Sequence, residues 1–410
     1  MKFFNSIILS GLLSAINVNA ETTTTTNNSC SFSRTTISAS TGIQQLNSCP
    51  TLDGTISITG NDISVIDLTA IRQLNADLTI YNSSTINVVL VNQIENITGL
   101  LEFNNLTQLT TVELTSIKDA QNLEFVSLPN FANLNLNNEV LKAGRIILSN
   151  TALSNLNGLA LFDTIEYMNI NNNKNMSQLN FESLKNVSDS LILSFNHNQA
   201  QVNLNALNWA SNLTIQDVVD FSATNLTSVN GSLQISYNTF ETLNLSSLTS
   251  IGSSLQVFAH DDLTEVDFGS LTSVGGELSF FNNSQLSNML NTFKSLQRVD
   301  GAVSISGDIT NLSMPALQRI RGDFQLNSTS EDFDCEEFNQ YHEDGDIEGN
   351  NYICSYAVYS SIETDGSTST NTGSSETTSS DGNRASGVEK SMIPNIAVVV
   401  VGIMFGVLML

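Results

Sequence analysis

The stretch that decides the fold is LTSVNGSLQISYN, Leu226–Asn238, because it returns several times further along the chain. Near-copies are LTSIGSSLQV at Leu248–Val257 and LTSVGGELSF at Leu271–Phe280. Looser copies, LQRVDGAVSI and LQRIRGDFQL, occupy Leu296–Ile305 and Leu317–Leu326. A motif that recurs at such a spacing indicates a repeat architecture, in which each unit packs mainly against its two neighbours.

Pairs of apolar residues two positions apart extend this repeat over most of the chain. Residues with that spacing point to the same face of a strand. Successive pairs are 20 to 25 residues apart. We call them rung pairs, and they are Ile56/Ile58, Leu78/Ile80, Leu101/Phe103, Leu123/Phe125, Ile146/Leu148, Met168/Ile170, Leu191/Leu193, Leu213/Ile215, Leu233/Ile235, Leu255/Val257, Leu278/Phe280, Val303/Ile305 and Phe324/Leu326.

Each unit also carries a second alternating pair, such as Val266/Phe268, and a third apolar step, such as Leu248/Ile251. A single coil cannot bury its own apolar face, whereas stacked coils bury a continuous column. The pattern therefore predicts an all-β, right-handed parallel β-helix or solenoid of about thirteen coils of ~22 residues. The alternative is a leucine-rich-repeat horseshoe, whose consensus requires a helical segment in each unit.

Turn-forming residues flank the rung pairs. Gly231, Gly276, Gly301 and Gly322 precede them and predict one corner. Asparagine tolerates the left-handed conformation, so the Asn and Asp residues that follow the pairs predict a second, solvated corner. These residues are Asn61, Asn82, Asn150, Asn173, Asn196, Asn238, Asn283 and Asp308.

Both ends of the chain have the composition of targeting segments. Lys2 precedes an apolar run, and Val18 and Ala20 supply the small residues of a signal-peptide cleavage site. The apolar end 392–410 follows a polar spacer and small residues, which is typical of a GPI-attachment signal. The expected attachment site is Asn383, with Ser380, Gly382 and Ala385 as rivals; a plain transmembrane anchor is the alternative.

These features divide the chain into six predicted parts. They are a signal peptide (1–20), an N-terminal cap (21–48), the β-solenoid (49–334), a C-terminal cysteine cap (335–358), a Ser/Thr-rich stalk (359–383) and a GPI-attachment propeptide (384–410).

The four cysteines form two pairs, each separated by nineteen positions, that bracket the periodic region. Their spacing predicts Cys30–Cys49 and Cys335–Cys354 disulfides that close the first and last coils, although crossed pairings are also compatible with the sequence. An open end would expose unpaired backbone to other chains.

Sequons for N-glycosylation are numerous and spread along the chain, which favours a glycosylated extracellular surface. The acceptor residues are Asn27, Asn82, Asn96, Asn105, Asn175, Asn186, Asn212, Asn225, Asn230, Asn244, Asn282, Asn311 and Asn327.

The combination of signal peptide, cysteine-capped repeat L-x-x-[VI]-x-G-x-L-x-[IV], Ser/Thr stalk and GPI signal resembles the fungal GPI-anchored cell-wall organisation proteins related to sporulation-specific proteins. Their ectodomains are similar to receptor L-domains. The resemblance implies a non-enzymatic glycoprotein of the outer plasma membrane or cell wall, required for wall integrity. A receptor-like module that binds a wall glycan or protein is the alternative, and a polysaccharide-remodelling enzyme is a third hypothesis.

Few residues suggest chemistry. His260, Asp261, Asp262 and Asp267 form the one cluster worth testing for polysaccharide hydrolysis, which uses paired carboxylates. We expect instead a solvated corner, with His197, His260 and His342 exposed and without a catalytic role.

Two further features are interpreted as structural. Asp344, Asp346 and Glu348 resemble the start of a calcium loop, but Ser355 stands where the bidentate glutamate is required. Trp209 is expected in the core or at its rim rather than as a sugar-stacking platform.

The expected function therefore involves no catalytic residue, cofactor or metal. The formal net charge of −26 disfavours nucleic acid as a partner. The expected partners are a cell-wall polysaccharide or mannoprotein and, through the anchor, the membrane.

Overall fold

The structure is a computed structural model. It describes residues 30–358 apart from 137–139, 141, 157 and 160. The signal peptide, the stalk, the anchor region, Asn27 and Asn383 lie outside the described residues. Within the described residues, no helix has the length and apolar character needed to cross a membrane.

The rung pairs lie on stacked parallel strands that run through the solenoid, as predicted. Their first members stand in register from coil to coil, for example Leu213 beside Leu233, Leu233 beside Leu255, and Leu255 beside Leu278. Every rung residue is buried, and the strands that carry the pairs run parallel. The described part of the chain is thus a nearly all-β parallel solenoid of about thirteen coils.

The first face of the solenoid consists of the strands that carry the rung pairs. They are Thr51–Thr59, Asp77–Ser83, Asn96–Leu106, Asp119–Leu128, Lys142–Thr151, Thr164–Asn171, Asn186–Ser194, Trp209–Gln216, Leu233–Ser236, Leu255–His260, Leu278–Asn283, Val303–Gly307 and Phe324–Ser328. Short strands leading into this face belong to the same sheet, and they are Gln73–Leu74, Ser228–Val229, Ser250–Ile251, Ser273–Val274, Arg298–Val299 and Arg319–Ile320.

A second face is made by short strands in smaller parallel sheets. They are Val65–Asp67, Val88–Leu90, Thr111–Glu113, Asn133–Asn135, Gln178–Asn180, Gln201–Asn203, Asp220–Ser222, Thr242–Asn244, Glu265–Asp267, Asn288–Met289 and Asn311–Leu312. In the part of the chain that the structure describes, α-helix occurs only at Ser40–Leu46 and Glu336–Glu343, close to the two ends of the solenoid. The described residues of the coils form no α-helix, whereas a horseshoe requires a helical segment in each unit, so the architecture is the predicted solenoid.

The interior is one hydrophobic cluster that runs through all the coils. Aromatic residues add stacked contacts within it. The rings of Phe103 and Phe125 are 5.0 Å apart and nearly parallel, and Phe131 lies 5.1 Å from Phe125. Offset stacking of this kind contributes beyond the burial of apolar area.

The glycines before the rung strands allow consecutive coils to approach closely. A Cβ atom on Gly322 would lie 2.4 Å from the carbonyl carbon of Gly301, and one on Gly301 would lie 2.5 Å from that of Gly276. At Gly301 and Gly322 a side chain therefore has no room, whereas Ser253 occupies the equivalent position in another coil.

The asparagine corner follows the prediction in only some coils. Asn82 and Asn150 adopt positive φ and are exposed, as expected. Asn61 and Asp308 instead follow Gly60 and Gly307, which hold the positive φ themselves.

In other coils the corner prediction was wrong by one residue. Asn172, Phe195, Tyr237 and Asn282 hold the left-handed conformation. The residues after them, which are Asn173, Asn196, Asn238 and Asn283, are buried.

Both predicted disulfides are present and close the two ends. Cys30–Cys49 and Cys335–Cys354 have Cα–Cα distances of 5.6 Å and 6.0 Å. The end strands Ser31–Ile37 and Tyr352–Ser355 pair in parallel with the first and last rung strands. These end segments cover backbone edges that would otherwise invite aggregation.

Candidate functional site

Four aromatic side chains form a row on the outer surface, where the first face meets the corner. They are Phe195, Tyr237, Phe258 and Phe281, and Tyr237 is the most exposed at 52%. The ring centroids of Phe195 and Tyr237 are 6.3 Å apart, those of Tyr237 and Phe258 are 5.7 Å apart, and those of Phe258 and Phe281 are 4.8 Å apart. We call this feature the aromatic row.

Two members of the row occupy a backbone conformation that large side chains avoid. Phe195 and Tyr237 have φ values of 53° and 59°. Asparagine occupies the equivalent position in other coils, at Asn82 and Asn105 for example. For a bulky residue this conformation is a genuine outlier, and such strain is concentrated at functional sites.

The residues beside the row are polar, and two of them are charged. The Nζ of Lys174 donates to the backbone carbonyl of Phe195 at 2.7 Å. Gln216, Gln234 and Gln256 stand at outward strand positions and are half-buried. The Nε2 of Gln216 donates to the Oγ of Ser236 at 2.9 Å. Asp217 is the acidic residue at the left-handed position of the coil between Phe195 and Tyr237.

Beneath the row lies a buried column of asparagines, which we call the amide ladder. In each member, Oδ1 accepts the backbone N–H of the preceding coil's corner residue, and Nδ2 donates to a rung carbonyl of that coil. For Asn238 the partners are the N–H of Val218 at 3.0 Å and the carbonyl of Ile215 at 3.2 Å. The other members are Asn173, Asn196 and Asn283. The ladder thus satisfies backbone groups that the corner leaves without strand partners.

His260 is part of this ladder, so its expected solvent exposure was wrong. The side chain is fully buried between Asn238 and Asn283. Its Nδ1 lies 2.9 Å from Oδ1 of Asn283, and its Nε2 lies 3.2 Å from Nδ2 of Asn238. Because an amide oxygen only accepts, Nδ1 carries the proton and Nε2 accepts, which assigns a neutral imidazole.

Electrostatics agree with that assignment. Burial lowers the pKa of His260 to about 4, although the hydrogen bond to Asn283 and the charge of Asp261 act in the opposite direction. A second ring proton would point at the amide NH₂ of Asn238, whose oxygen is already held by Val218. The ring is therefore a structural acceptor near neutral pH, unavailable for proton transfer to a surface substrate.

The carboxylates near His260 do not converge with it. Asp261 and Asp262 are exposed in the corner, while Asp267 lies on the second-face strand Glu265–Asp267. Asp267 Oδ1 accepts the backbone N–H of Gly269 at 2.7 Å. Its carboxylate thus stabilises a local turn.

The other residues that the sequence singled out are His197, His342 and Trp209, and each is part of the fold. His197 is half-buried and accepts the N–H of Gln199, and the exposed His342 stacks on Tyr352 at 4.3 Å. Trp209 is half-buried at the start of its strand.

In the acidic segment that resembles a calcium loop, Glu348 and Asp346 contact other residues of the protein. Glu348 pairs with Arg319 at 2.8 Å, and the backbone carbonyl of Asp346 accepts the N–H of Ile320. Among the described residues, no group of three or more His, Cys, Asp or Glu side chains is placed to hold a metal.

The twelve sequon asparagines within the described residues all reach the surface. Asn96, Asn186 and Asn212 are half-buried, and the rest are exposed. Their occupancy by glycans remains a prediction.

The aromatic row was missed by the sequence analysis. A signal was present, because Phe258 and Phe281 each directly follow a rung pair at the same register. Phe195 and Tyr237 each directly precede a corner asparagine.

Comparison with known proteins identifies relatives over most of the chain. It is 48% identical over 356 residues to the cell surface GPI-anchored protein ECM33 of Candida albicans, covering 87% of this chain and 84% of that protein. It is 28% identical over 316 residues to the cell wall mannoprotein PST1 of Saccharomyces cerevisiae, covering 77% and 70%. It is also 28% identical over 291 residues to sporulation-specific protein 2 of the same yeast, covering 71% and 57%.

No protein-family model matches the sequence. No solved structure matches it either. Nearly half of the residues are nevertheless shared with ECM33 over most of both chains, and this chain therefore belongs to the fungal family of GPI-anchored cell-surface and cell-wall proteins that includes ECM33, PST1 and sporulation-specific protein 2.

Proposed function

We propose that the protein is a non-enzymatic surface glycoprotein that maintains the organisation and integrity of the fungal cell wall. The observation that carries this proposal is a closed solenoid whose described sequon asparagines all reach the surface. Coils joined by parallel strands and sealed by two disulfides form a scaffold that can carry many glycans without depending on any of them for its core.

The protein acts at the cell surface, in the outer leaflet of the plasma membrane and in the cell wall. Its relatives are named as GPI-anchored cell-surface and cell wall proteins. Attachment through Asn383 and cleavage after Ala20 are parts of the proposal that concern residues outside the described structure.

We infer that the His260 cluster has no catalytic role. The imidazole is held as a neutral acceptor inside the amide ladder. Asp267 lies on the second face and accepts a local backbone N–H, whereas Asp261 and Asp262 are exposed neighbours in the corner. A carboxylate pair for glycoside hydrolysis must flank one scissile bond. Replacing these acids should therefore leave the biological role unchanged.

A test combines deletion of the gene with complementation. We expect the deletion strain to become sensitive to dyes that bind wall polysaccharides, and the natural sequence to restore resistance. A D261N/D262N variant should restore resistance equally well. Normal resistance in the deletion strain would contradict the wall role, and a variant that fails despite normal surface display would contradict the non-enzymatic role.

A second candidate function is a receptor-like module that binds a wall component. The exposed, strained aromatic row favours it, because large apolar side chains at the surface commonly mark interaction sites. The two functions are compatible, since a wall-organising scaffold can act by holding a wall polymer.

A further inference from the structure

We propose that the second face contains a binding site for the innermost sugars of an N-linked glycan, and that this glycan is the one attached to Asn244. The inference rests on the proposed role as a surface glycoprotein and adds the place where one glycan is held. The site is a cleft of about 360 Å³ between the strands Glu265–Asp267 and Asn288–Met289. We call it the second-face cleft.

Extra residues in one coil produce the cleft. Phe280 and Ile305, the second members of their rung pairs, are 25 residues apart, whereas the step before them is 23 residues. The extra residues form a loop after Met289, and the two strands beside the cleft belong to different sheets. The N–H of Phe268 donates to the carbonyl of Thr292 in this loop at 3.2 Å. The second face is thus interrupted here, and the interruption leaves room for a ligand.

The side chains that line the cleft are suited to a sugar. The amides of Asn288 and Asn291 donate and accept hydrogen bonds, and the carboxylates of Glu265 and Asp267 accept them. Lys294 donates, and it forms no ion pair within the described part of the chain. N-acetylglucosamine, the sugar at the base of N-linked glycans, carries hydroxyl and acetamide groups that match both kinds of partner. A cleft of this volume is near the lower end of the range for small-molecule sites, about 300–1,000 Å³.

The position of Asn244 brings its glycan to the cleft. Asn244 is a sequon residue at the end of the strand Thr242–Asn244. It is in register with Asp267, which lines the cleft from the next coil, and both residues occupy outward positions of their strands. Neighbouring strands lie about 4.8 Å apart, so the first sugar on Asn244 begins within one strand spacing of the cleft.

The hydrogen bonds of the two sequons beside the cleft favour Asn244. Its Oδ1 accepts the backbone N–H of Ser246 at 3.1 Å, while its Nδ2 makes no hydrogen bond within the described residues. Asn311 borders the cleft from the other side, in register with Asn288, but its Nδ2 donates to Thr310 at 3.1 Å. A sugar on Asn244 therefore displaces no contact of the fold, whereas a sugar on Asn311 competes with an existing bond.

Covalent attachment explains how an open, polar cleft can be filled. A free sugar gains little from such a site, because binding must first offset the loss of its translational and rotational freedom. An attached sugar has a high effective concentration, about millimolar for a short flexible connection. The protein's own glycan can therefore occupy a cleft that a free oligosaccharide would leave mostly empty.

The test measures the release of individual glycans by endoglycosidase H, which cuts between the first two sugars of an N-linked glycan. The full chain is expressed in yeast and purified in detergent, and mass spectrometry follows each sequon separately. In the native protein, release at Asn244 should be about tenfold slower or more than at Asn225, because a bound glycan is cut only while it is dissociated from the cleft. Asn225 is an exposed sequon residue on a turn of another coil. After denaturation the two rates should be similar.

A N291A/K294A variant removes two polar groups from the cleft. Release at Asn244 should then become as fast as at Asn225, while the rate at Asn225 stays unchanged and reports an intact fold. K185A/N198A is the matched control, since both of its residues are exposed on other coils. It should leave both rates within about twofold of those in the natural chain.

Three results would overturn the proposal. They are the absence of a glycan at Asn244, equal release at Asn244 and Asn225 in the native protein, and slow release at Asn244 that persists in N291A/K294A. None of them bears on the wall function, which the deletion strain tests separately.

Discussion

Residues next to each other in the sequence serve opposite regions of this molecule. Phe280 is buried in the rung column, whereas Phe281 lies in the aromatic row. Tyr237 is exposed, whereas Asn238 is buried in the amide ladder. The comparison teaches that residue type alone does not assign a role in a solenoid. The rung column holds the coils together, while the aromatic row lies at the surface, and substitutions can separate the two contributions to stability.

The largest expected difference in the free energy of unfolding is between substitutions of the neighbouring residues Phe280 and Phe281. Phe280→Ala should lower the free energy of unfolding by about 3–5 kcal/mol, because it opens a cavity beside Phe293 and Phe268. Phe281→Ala should change it by less than about 1 kcal/mol, because the ring lies at the surface. Urea denaturation followed by circular dichroism measures both. Equal losses would show that the outer row supports the fold as much as the inner column does.

The pH dependence of the free energy of unfolding tests the burial of His260 in the amide ladder. The unfolded histidine titrates at its ordinary pKa of 6.5, whereas the folded one titrates at about 4. Between these values the unfolded state binds more protons, so stability is complete above pH 6.5 and falls as the pH decreases towards 4. The loss attributable to this group is about 3 kcal/mol.

His260→Asn isolates that contribution, because asparagine is the residue that the ladder uses in adjacent coils. Stability should be measured by urea denaturation of both proteins from pH 7 to pH 4. The natural chain should lose more stability than the variant, with about 2 kcal/mol of difference already at pH 5. Parallel pH profiles would contradict the buried, neutral imidazole.

Removal of one amide from the ladder should lower the free energy of unfolding by nearly as much as the protonation of His260 does. Asn238→Ala leaves the N–H of Val218 and the carbonyl of Ile215 without their buried partner. We expect the free energy of unfolding to fall by about 2–3 kcal/mol, because an unsatisfied buried group carries its full desolvation cost. Gln256→Ala, an outward change in a neighbouring rung strand, serves as the control and should have little effect in the same denaturation assay.

The smallest expected change in the free energy of unfolding is an increase. Tyr237→Asn should raise the free energy of unfolding by about 1 kcal/mol, because asparagine tolerates positive φ better than tyrosine does. Tyr81→Asn, at a residue outside the left-handed positions, should give no such rise. A loss of stability in Tyr237→Asn would mean that the exposed ring stabilises the fold and does not store strain for binding.

Much of the architecture could be predicted because the same pattern of apolar residues recurs in every coil. Leu233, Leu255 and Leu278 stand in register as their spacing requires, and each disulfide joins the cysteines that bracket an end. Stacking identical coils leaves little freedom for one to differ from the next. The candidate site could not be predicted in the same way, since neither the burial of His260 nor the exposure of Tyr237 follows from their local sequence.

By itself, the sequence determined the period of the coil, the inward direction of the rung pairs and the position of the cysteines at the two ends. Only the tertiary structure decided which corner residues enter the core. Strict alternation from Leu233 and Ile235 would turn Tyr237 inward and Asn238 outward. A left-handed residue at Tyr237 reverses that phase, so the ring faces solvent and the amide enters the ladder. The reversal is stable because the preceding coil supplies the backbone groups that Asn238 satisfies, and that contact exists only after the coils have stacked.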